Sequence, residues 1–263
     1  MSAPSSPPTA ADSAPLVRSL AGDQVVIVTL DSPANRNALS RRLVTELREA
    51  LTDAATSGTA HAVLLTHTGT TFCSGAALNE MRDGDPDRGT RDMLDLFRQL
   101  LTLPIPVVAR VDGAARAGGL GVLGACDIVL ASDRSTFAFT EVRLGLAPAV
   151  ISLPLRPLLD ARATARYFLT GETFDAEVAA RIGLVTAAGP DVDALASGVL
   201  DGLRRSDLQG LRETKPLTST ERLRAIDDEG ATMGRLSARL FASDVARAHF
   251  SAFLDQAQRK GQR

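Results

Sequence analysis

The amino-acid sequence predicts an α/β fold that is followed by a region built from helices. Before Pro154, apolar runs typical of buried strands alternate with amphipathic runs typical of helices. After Pro154, every predicted element is a helix. Because strands that alternate with helices imply βαβ units, we expect one α/β core with helices attached at its C-terminal end.

The predicted strands are short apolar runs without the regular polar alternation of a half-exposed strand. The first is Val25–Leu30, and three others lie at 62–66, 105–111 and 128–131. We expect all of them to be buried in the core.

The predicted helices are recognised by their caps and apolar stripes. Ser40 can cap the helix that follows it. Leu43, Leu47 and Leu51 then recur every four residues, which gives that helix one buried face. The other helices are predicted at 90–102, 118–125, 161–169, 176–182, 192–203, 219–241 and 244–258.

These elements divide the chain into three regions. Residues 1–15 are rich in Pro, Ser and Ala, and we expect a disordered tail without the basic start and apolar stretch of a signal peptide. Residues 16–205 form the predicted core. Residues 206–263 form the predicted C-terminal helical region, whose boundary with the core we expect within 206–215.

Composition and charge argue against several classes of function. The formal net charge is −2, which gives no reason to expect a nucleic acid or an anionic membrane as a partner. With no Trp and one Tyr, an aromatic platform for stacking bases is not expected. Cys73 and Cys126 fit no metal-binding spacing, and reduced thiols suit a cytoplasmic location.

Two glycine-bearing segments carry the strongest chemical signal. Residues 72–78 read Phe-Cys-Ser-Gly-Ala-Ala-Leu, and residues 112–121 end on Gly118, Gly119 and Gly121. Each segment follows a predicted strand and leads into a helix-like stretch. A turn of this kind at a helix start leaves backbone N–H groups without partners. If the two turns converge, their N–H groups can hold a developing oxyanion.

A competing motif lies in the second segment. Gly119, Gly121 and Gly124 have the spacing of a dinucleotide-binding loop. The next predicted strand begins near Ile128, which leaves no room for a full crossover helix, and no acidic residue ends a second strand about 20 residues further on. We therefore interpret the match as accidental.

Four segments of the chain occur in an order and spacing typical of one enzyme superfamily. Residues 35–39 (Asn-Arg-Asn-Ala-Leu) match a CoA-binding segment, 72–78 and 112–127 match two oxyanion-hole loops, and 141–146 match a segment with a catalytic glutamate. On these motifs the chain resembles the crotonase (enoyl-CoA hydratase/isomerase) superfamily over nearly its whole length after residue 15. Residues 141–152 and 165–170 are similar to the bacterial methylglutaconyl-CoA-type hydratases.

The resemblance implies an architecture and a set of partners. The fold would be a crotonase-like ββα spiral core with a helical C-terminal region. The substrate would be an acyl-CoA thioester, and the assembly a homotrimer or a dimer of trimers. No metal and no separate cofactor is implied, because CoA arrives as part of the substrate.

The resemblance also implies roles for particular residues. The backbone amides of Ala76 and Gly118 would stabilise the thioester oxygen as it gains enolate charge. Glu141 would move the proton, and an apolar surround would raise its pKa towards neutral. The other predicted substrate- or CoA-binding residues are Arg36, Ala38, Ser74, Gly75, Ala77, Leu78, Arg116 and Gly119.

The reaction stays open at this point, because the chain departs from the family's best-known pattern. Gly121 stands where those hydratases have a second glutamate, and Ala77 replaces a frequent aspartate. Glu141 alone can serve the addition of water to a 2-enoyl-CoA, which we favour. It can also shuttle a proton within a 3-enoyl-CoA, which is isomerisation. The third reading is a catalytically silent CoA-binding oligomer.

Two arginines are candidates for binding anions. Arg116 lies in a turn of small apolar residues, where it can bind a carboxylate on the acyl group or a CoA phosphate. The alternative is a solvent-facing side chain or an ion pair between subunits. Arg36 is expected to contact a CoA phosphate, with an exposed Arg that has no specific role as the alternative.

Overall fold

The computed structural model describes residues 14–77, residue 80 and residues 85–261, with side chains described up to residue 252. Leu78 and residues 1–13 of the predicted tail lie outside the described residues. The strands are β1 Val17–Ala21, β2 Val25–Leu30, β3 Ala62–His67, β4 Thr71–Cys73, β5 Val107–Val111, β6 Ala114–Arg116, β7 Ile128–Ser132, β8 Thr136–Ala138, β9 Phe174–Asp175 and β10 Ala187–Gly189.

The strands form two sheets. The larger sheet has the order β1-β2-β3-β5-β7-β10, with β1 antiparallel to β2 and the other neighbours parallel. The smaller sheet has the order β4-β6-β8-β9. The strands predicted from the sequence are all strands of the larger sheet, and they are buried as expected.

The smaller sheet shows how the core repeats. Strands β4, β6 and β8 each come directly after a strand of the larger sheet, namely β3, β5 and β7. Each repeat therefore gives one strand to each sheet before the chain enters a helix. This is the expected ββα spiral. The sequence pattern indicated βαβ units instead, because each second strand has only three residues.

Helices cover the sheets and form the C-terminal part of the chain. They are α1 Arg41–Thr56, α2 Pro86–Thr102, α3 Gly118–Ala125, α4 Ala149–Leu155, α5 Ala161–Thr170, α6 Ala176–Arg181, α7 Val192–Arg204, α8 Leu208–Phe241 and α9 Asp244–Gly261. Two short 3₁₀ helices span Pro33–Asn35 and Thr140–Leu144.

The predicted helices are confirmed, but two of them begin earlier in the chain than the sequence predicted. Ser40 caps α1 by accepting a hydrogen bond from Leu43 N at 3.2 Å. Helix α2 begins at Pro86 rather than at residue 90, because Asp85 caps it. Helix α8 begins at Leu208 rather than at residue 219, so most of the interval 206–215 is helix.

A buried charged cluster fastens α8 to the core. Lys215 Nζ donates hydrogen bonds to the carbonyl oxygens of Leu100 and Ile105 at 2.8 and 2.9 Å, and it lies 2.9 Å from a carboxylate oxygen of Asp127. Two turns of helix further on, Arg222 donates to two carbonyls at the end of α3. Because these charges are paired and hydrogen-bonded, they can be buried. The cluster fixes how α8 runs along α2 and α4.

Candidate active site

The two glycine segments meet at one point of the structure. Gly75 has φ +95°, a conformation that side chains other than glycine rarely adopt. A Cβ atom placed on Gly75 would lie 2.9 Å from Ala117 Cβ and 3.3 Å from Gly118 N. The loop after β4 and the start of α3 therefore touch, and there is no room for a side chain at position 75.

The backbone amides of Ala76 and Gly118 lie at this meeting point. Leu39 N donates to Gly75 O at 2.8 Å, and Ala77 N donates to Leu39 O at 3.4 Å. These two hydrogen bonds involve the residues on either side of Ala76, and neither of them uses the N–H group of Ala76. Gly118 is the first residue of α3, where an amide has no acceptor within the helix. In the part of the chain that the structure describes, neither amide has a hydrogen-bond acceptor.

Ala117 sets the position from which α3 begins. It has φ +46° and ψ −121°, which is a strained conformation for a residue with a side chain. Its N–H donates to Ala138 O at 3.1 Å, and its carbonyl accepts from Leu120 N at 2.9 Å. These bonds hold the strained residue in place, so that the Gly118 amide next to it has a fixed direction.

Glu141 is a buried carboxylate with an unpaired oxygen. It lies in the 3₁₀ helix Thr140–Leu144, and 8% of the residue is exposed. Its Oε2 atom is buried and has no hydrogen-bond partner among the described residues. Burial raises the pKa of Glu141 to about 7, because the charged form is poorly solvated there. Such a carboxyl group can both accept and release a proton near neutral pH.

Glu141 and Ala76 line the same cavity. This cavity has a volume of about 60 Å³. Helix α2 contributes Thr90 and Met93 to its wall, the segment 147–151 contributes another side, and α8 contributes Ser237 and Phe241. The structure thus brings together the predicted proton-moving group and one of the predicted oxyanion donors, with the second donor next to it.

Position 121 has no space for a second carboxylate. A Cβ atom placed on Gly121 would lie 2.4 Å from Phe97 Cζ and 2.9 Å from Ile151 Cγ2. The volume that a longer side chain would need is therefore filled by two apolar side chains. Glu141 lacks a carboxylate partner from this position.

Substitution of Gly121 is expected to destabilise the fold. Gly121→Ala should lower the free energy of unfolding by about 1–3 kcal/mol, because the new methyl group clashes with packed side chains. Urea denaturation measures this. Gly198→Ala is the matched control, because Gly198 lies in the interior of α7 and an added Cβ atom would meet no other element of the structure within 4 Å. Alanine there should stabilise the helix by about 0.5–1 kcal/mol. An equal change in the free energy of unfolding for the two variants would contradict the close packing around Gly121.

The predicted CoA-binding segments lie next to each other at the surface. Arg36 is exposed, has φ +53°, and accepts a hydrogen bond from Ser74 N at its carbonyl oxygen at 3.1 Å. Ala38 is partly exposed, and Ala77 is 7% exposed. Segment 35–39 therefore runs beside the first glycine segment.

The sequence reasoning missed the importance of Asn37. This residue is fully buried, with φ +50°. Its side chain accepts a hydrogen bond from Ser32 N at 2.8 Å and donates to Thr68 O and Thr71 O at 3.1 and 2.8 Å. It therefore ties the 35–39 segment to the loop that leads into β4. The sequence offered one indication of this role, namely an Asn within segment 35–39, but the whole segment was assigned to CoA binding.

Arg116 and Gly119 lie away from the cavity lining. The Arg116 guanidinium donates to Thr136 Oγ1 at 2.9 Å and to the carbonyl oxygens of Thr136 and Ala115. A Cβ atom placed on Gly119 would lie 2.8 Å from Cys73 Cβ, so this glycine permits close packing of α3 against β4. The observed contacts of the partly buried Arg116 join β6 to β8, and the contact of Gly119 joins α3 to β4.

The two cysteines are buried thiols. Burial raises the pKa of Cys73 and of Cys126 to about 12, so that neither forms a thiolate near neutral pH.

Among the described residues, no group of three or more His, Cys, Asp and Glu side chains is placed to hold a metal ion. Within the same residues, no helix is both long and apolar enough to cross a membrane.

Comparisons with known proteins identify a family model, sequences and structures that are similar to this chain. The sequence model of the family described as enoyl-CoA hydratase/isomerase matches residues 21–255. A Thermus thermophilus protein provisionally named an enoyl-CoA hydratase is 33% identical over 201 residues, which are 73% of this chain and 79% of that protein. The crystal structure of an enoyl-CoA hydratase from Mycobacterium avium has a TM-score of 0.86 and 46% identity, covering 92% of this chain and 96% of that one. A provisionally named enoyl-CoA hydratase from Mycobacterium avium paratuberculosis has a TM-score of 0.87 and 46% identity, covering 92% and 97%.

Proposed function

The chain belongs to the enoyl-CoA hydratase/isomerase family, and we propose that it adds water across the double bond of a 2-enoyl-CoA. Membership of the family makes the chain an acyl-CoA-processing enzyme. The observation that carries the finer proposal is the pairing of Glu141 with Ala76 in one cavity. A residue with a buried, unpaired carboxylate oxygen and a residue with an unbonded amide then line the same small volume.

The proposed mechanism begins with the thioester oxygen between the amides of Ala76 and Gly118. The Glu141 carboxylate takes a proton from water, and the water oxygen forms a bond to the β-carbon. The electron pair of the double bond moves towards the α-carbon and the thioester oxygen, as an enolate that the two amides stabilise. The α-carbon then takes the proton from Glu141, which returns to its carboxylate form. One carboxylate is enough for this sequence, and it uses no cofactor besides the CoA of the substrate.

A second candidate reaction is the isomerisation of a 3-enoyl-CoA to a 2-enoyl-CoA. The filled space beside Gly121 favours it, because a proton shuttle between two carbons of one chain needs one carboxylate and no water. Glu141 would take the α-proton and return it to the γ-carbon. The same amides would stabilise the same enolate. The unbonded amides and the raised pKa of Glu141 argue against the silent reading.

The experiment that separates these readings uses two substrates and the unmodified chain. Incubation with crotonyl-CoA should remove the absorbance of the conjugated thioester, because hydration saturates the double bond. Incubation with a 3-enoyl-CoA instead reports isomerisation, as a gain in that absorbance. A gain from the second substrate without a loss from the first would assign the enzyme as an isomerase. No change with either substrate would support a silent CoA-binding protein.

We propose the exposed Arg36 as a CoA phosphate contact, beside backbone contacts from Ala38, Ser74 and Gly75. The observation in favour is that segment 35–39 adjoins the first glycine segment. For Arg116 we propose no contact with an acyl carboxylate, since its guanidinium is hydrogen-bonded to Thr136 on the neighbouring strand β8. A homotrimer or a dimer of trimers stays a prediction from the family resemblance, and a cytoplasmic location stays a prediction from the reduced thiols.

A further inference from the structure

A hydroxyl group from the C-terminal region reaches the proposed active site. Ser237 lies on α8 and lines the cavity that also contains Glu141. It is 8% exposed, which is the same value as for Glu141. Among the described residues nothing forms a hydrogen bond with Ser237 Oγ, whereas Thr90 Oγ1 on the same wall donates to Pro86 O at 2.7 Å. Two residues of the cavity lining therefore have unused hydrogen-bonding capacity: Glu141, whose Oε2 atom is buried and unpaired, and Ser237, whose hydroxyl group has no partner among the described residues.

The position of Ser237 is fixed by close packing of α8 against α2. A Cβ atom placed on Gly234 would lie 3.5 Å from Thr90 Cγ2, and one placed on Gly230 would lie 3.7 Å from Leu94 Cδ2. These two glycines and Ser237 are spaced so that they share one face of α8. Both distances are ordinary van der Waals contacts, so α8 packs directly against α2 along this face. Ser237 follows Gly234 by about one turn on the same face and lines the cavity.

The cavity can accommodate a water molecule with suitable partners. A buried water molecule needs a cavity volume of roughly 10–15 Å³ and two to four polar neighbours. The volume of this cavity is about 60 Å³. Its remaining side-chain lining is mostly apolar. A water between Glu141 and Ser237 can donate one hydrogen bond to each of them, which leaves a lone pair on its oxygen for the β-carbon.

We propose that Ser237 Oγ holds the attacking water beside Glu141 and so takes up a task for which position 121 offers no side chain. This inference rests on the proposed function. In the reaction, the water gives one proton to Glu141 and ultimately to the α-carbon. Its oxygen forms the bond to the β-carbon and keeps the hydrogen that faces Ser237. The serine neither gains nor loses a proton.

The test compares a reaction that consumes water with one that does not. Ser237→Ala should lower kcat for hydration of crotonyl-CoA by roughly tenfold to hundredfold, because the water loses its alignment, and KM should change little. Exchange of the α-protons of butyryl-CoA in D₂O, followed by mass spectrometry, needs Glu141 and the two amides alone. It should proceed in Ser237→Ala at the rate of the unmodified chain.

The control is Thr232→Ala, which removes an exposed hydroxyl from the same helix and should change neither rate. Equal losses of hydration and exchange in Ser237→Ala would show a structural role and overturn the inference, as would hydration at the unmodified rate. If the unmodified chain hydrates no enoyl-CoA, the proposed function fails, and this inference fails with it.

Discussion

Glu141→Gln is expected to lower kcat for hydration by about a thousandfold to ten-thousandfold, because an amide cannot accept the proton of the attacking water. Glutamine has nearly the same shape as the glutamate, so substrate binding and KM should change little. Exchange of α-protons should be lost as well, since it uses the same carboxylate. Steady-state kinetics with crotonyl-CoA measures the effect.

A matched control removes a carboxylate elsewhere. Glu177 lies on α6, and 88% of its side chain is exposed. Glu177→Gln is therefore expected to hydrate crotonyl-CoA at the rate of the unmodified chain. Turnover by Glu141→Gln within about tenfold of the unmodified enzyme, less than general acid–base catalysis usually contributes, would mean that another group moves the proton.

The pH dependence follows from the same carboxylate. Burial raises the pKa of Glu141 to about 7, and the form that accepts a proton is the ionised one. For the unmodified enzyme, kcat/KM for hydration should therefore rise as the pH rises through about 7 and then level off. A fall over the same interval would indicate that the protonated carboxyl group starts the reaction.

The buried carboxylate should also reduce stability at high pH. The pKa of Glu141 is raised from 4.5 to about 7 in the folded protein, so the folded state keeps a proton that the unfolded state loses between those values. Stability therefore falls as the pH rises through this interval, by roughly 3 kcal/mol in total. Glu141→Gln has no such proton. It should unfold at a higher temperature than the unmodified chain at pH above 7, and the difference should shrink towards pH 4.5.

Gly118→Pro is expected to lower kcat for hydration by about a hundredfold to a thousandfold, the usual cost of one lost oxyanion-hole donor. Proline removes the N–H that we assign to the thioester oxygen, and the first position of a helix accepts proline well. The Cβ atom of the ring would meet Leu39 Cδ1 and Met93 Cε at 3.2 and 3.3 Å, which are the far ends of flexible side chains. The Cδ atom of the ring replaces the amide hydrogen, so it also occupies the direction from which the thioester oxygen would bind.

Gly118→Ala distinguishes the effect of losing the amide N–H from the effect of adding a Cβ atom. Alanine adds the same Cβ atom and keeps the N–H, so its hydration rate should stay near that of the unmodified chain. Circular dichroism and the melting temperature show whether both variants fold. If folded Gly118→Pro and Gly118→Ala hydrate crotonyl-CoA equally fast, the amide of Gly118 takes no part in catalysis.

Much of the core could be predicted because its signals are local. Helix α3 spans Gly118–Ala125 as predicted, since a glycine turn precedes it and another strand follows at once. The short strands β4, β6 and β8 carry too few residues for a periodic pattern, and their partners are distant in the sequence. They form because each follows a strand of the larger sheet directly, and those strands end close enough together for the short strands to pair.

The parts that could not be predicted depend on contacts between distant residues. Lys215 was predicted only as the end of the interval that contains the boundary between the core and the helical region, because nothing nearby in the sequence indicates its ion pair with Asp127. The filled space beside Gly121 depends on Phe97 and Ile151, which come from two other helices. Ser237 carries no motif at all, and only the path of α8 places it in the cavity.

The most direct test of the account is a crystal structure of Glu141→Gln with crotonyl-CoA bound. We predict that the thioester oxygen lies about 2.7–3.1 Å from both Ala76 N and Gly118 N, the range for oxyanion-hole donors, with the double bond against residue 141. A thioester oxygen bonded elsewhere, or either amide donating to another group of the protein, would contradict it.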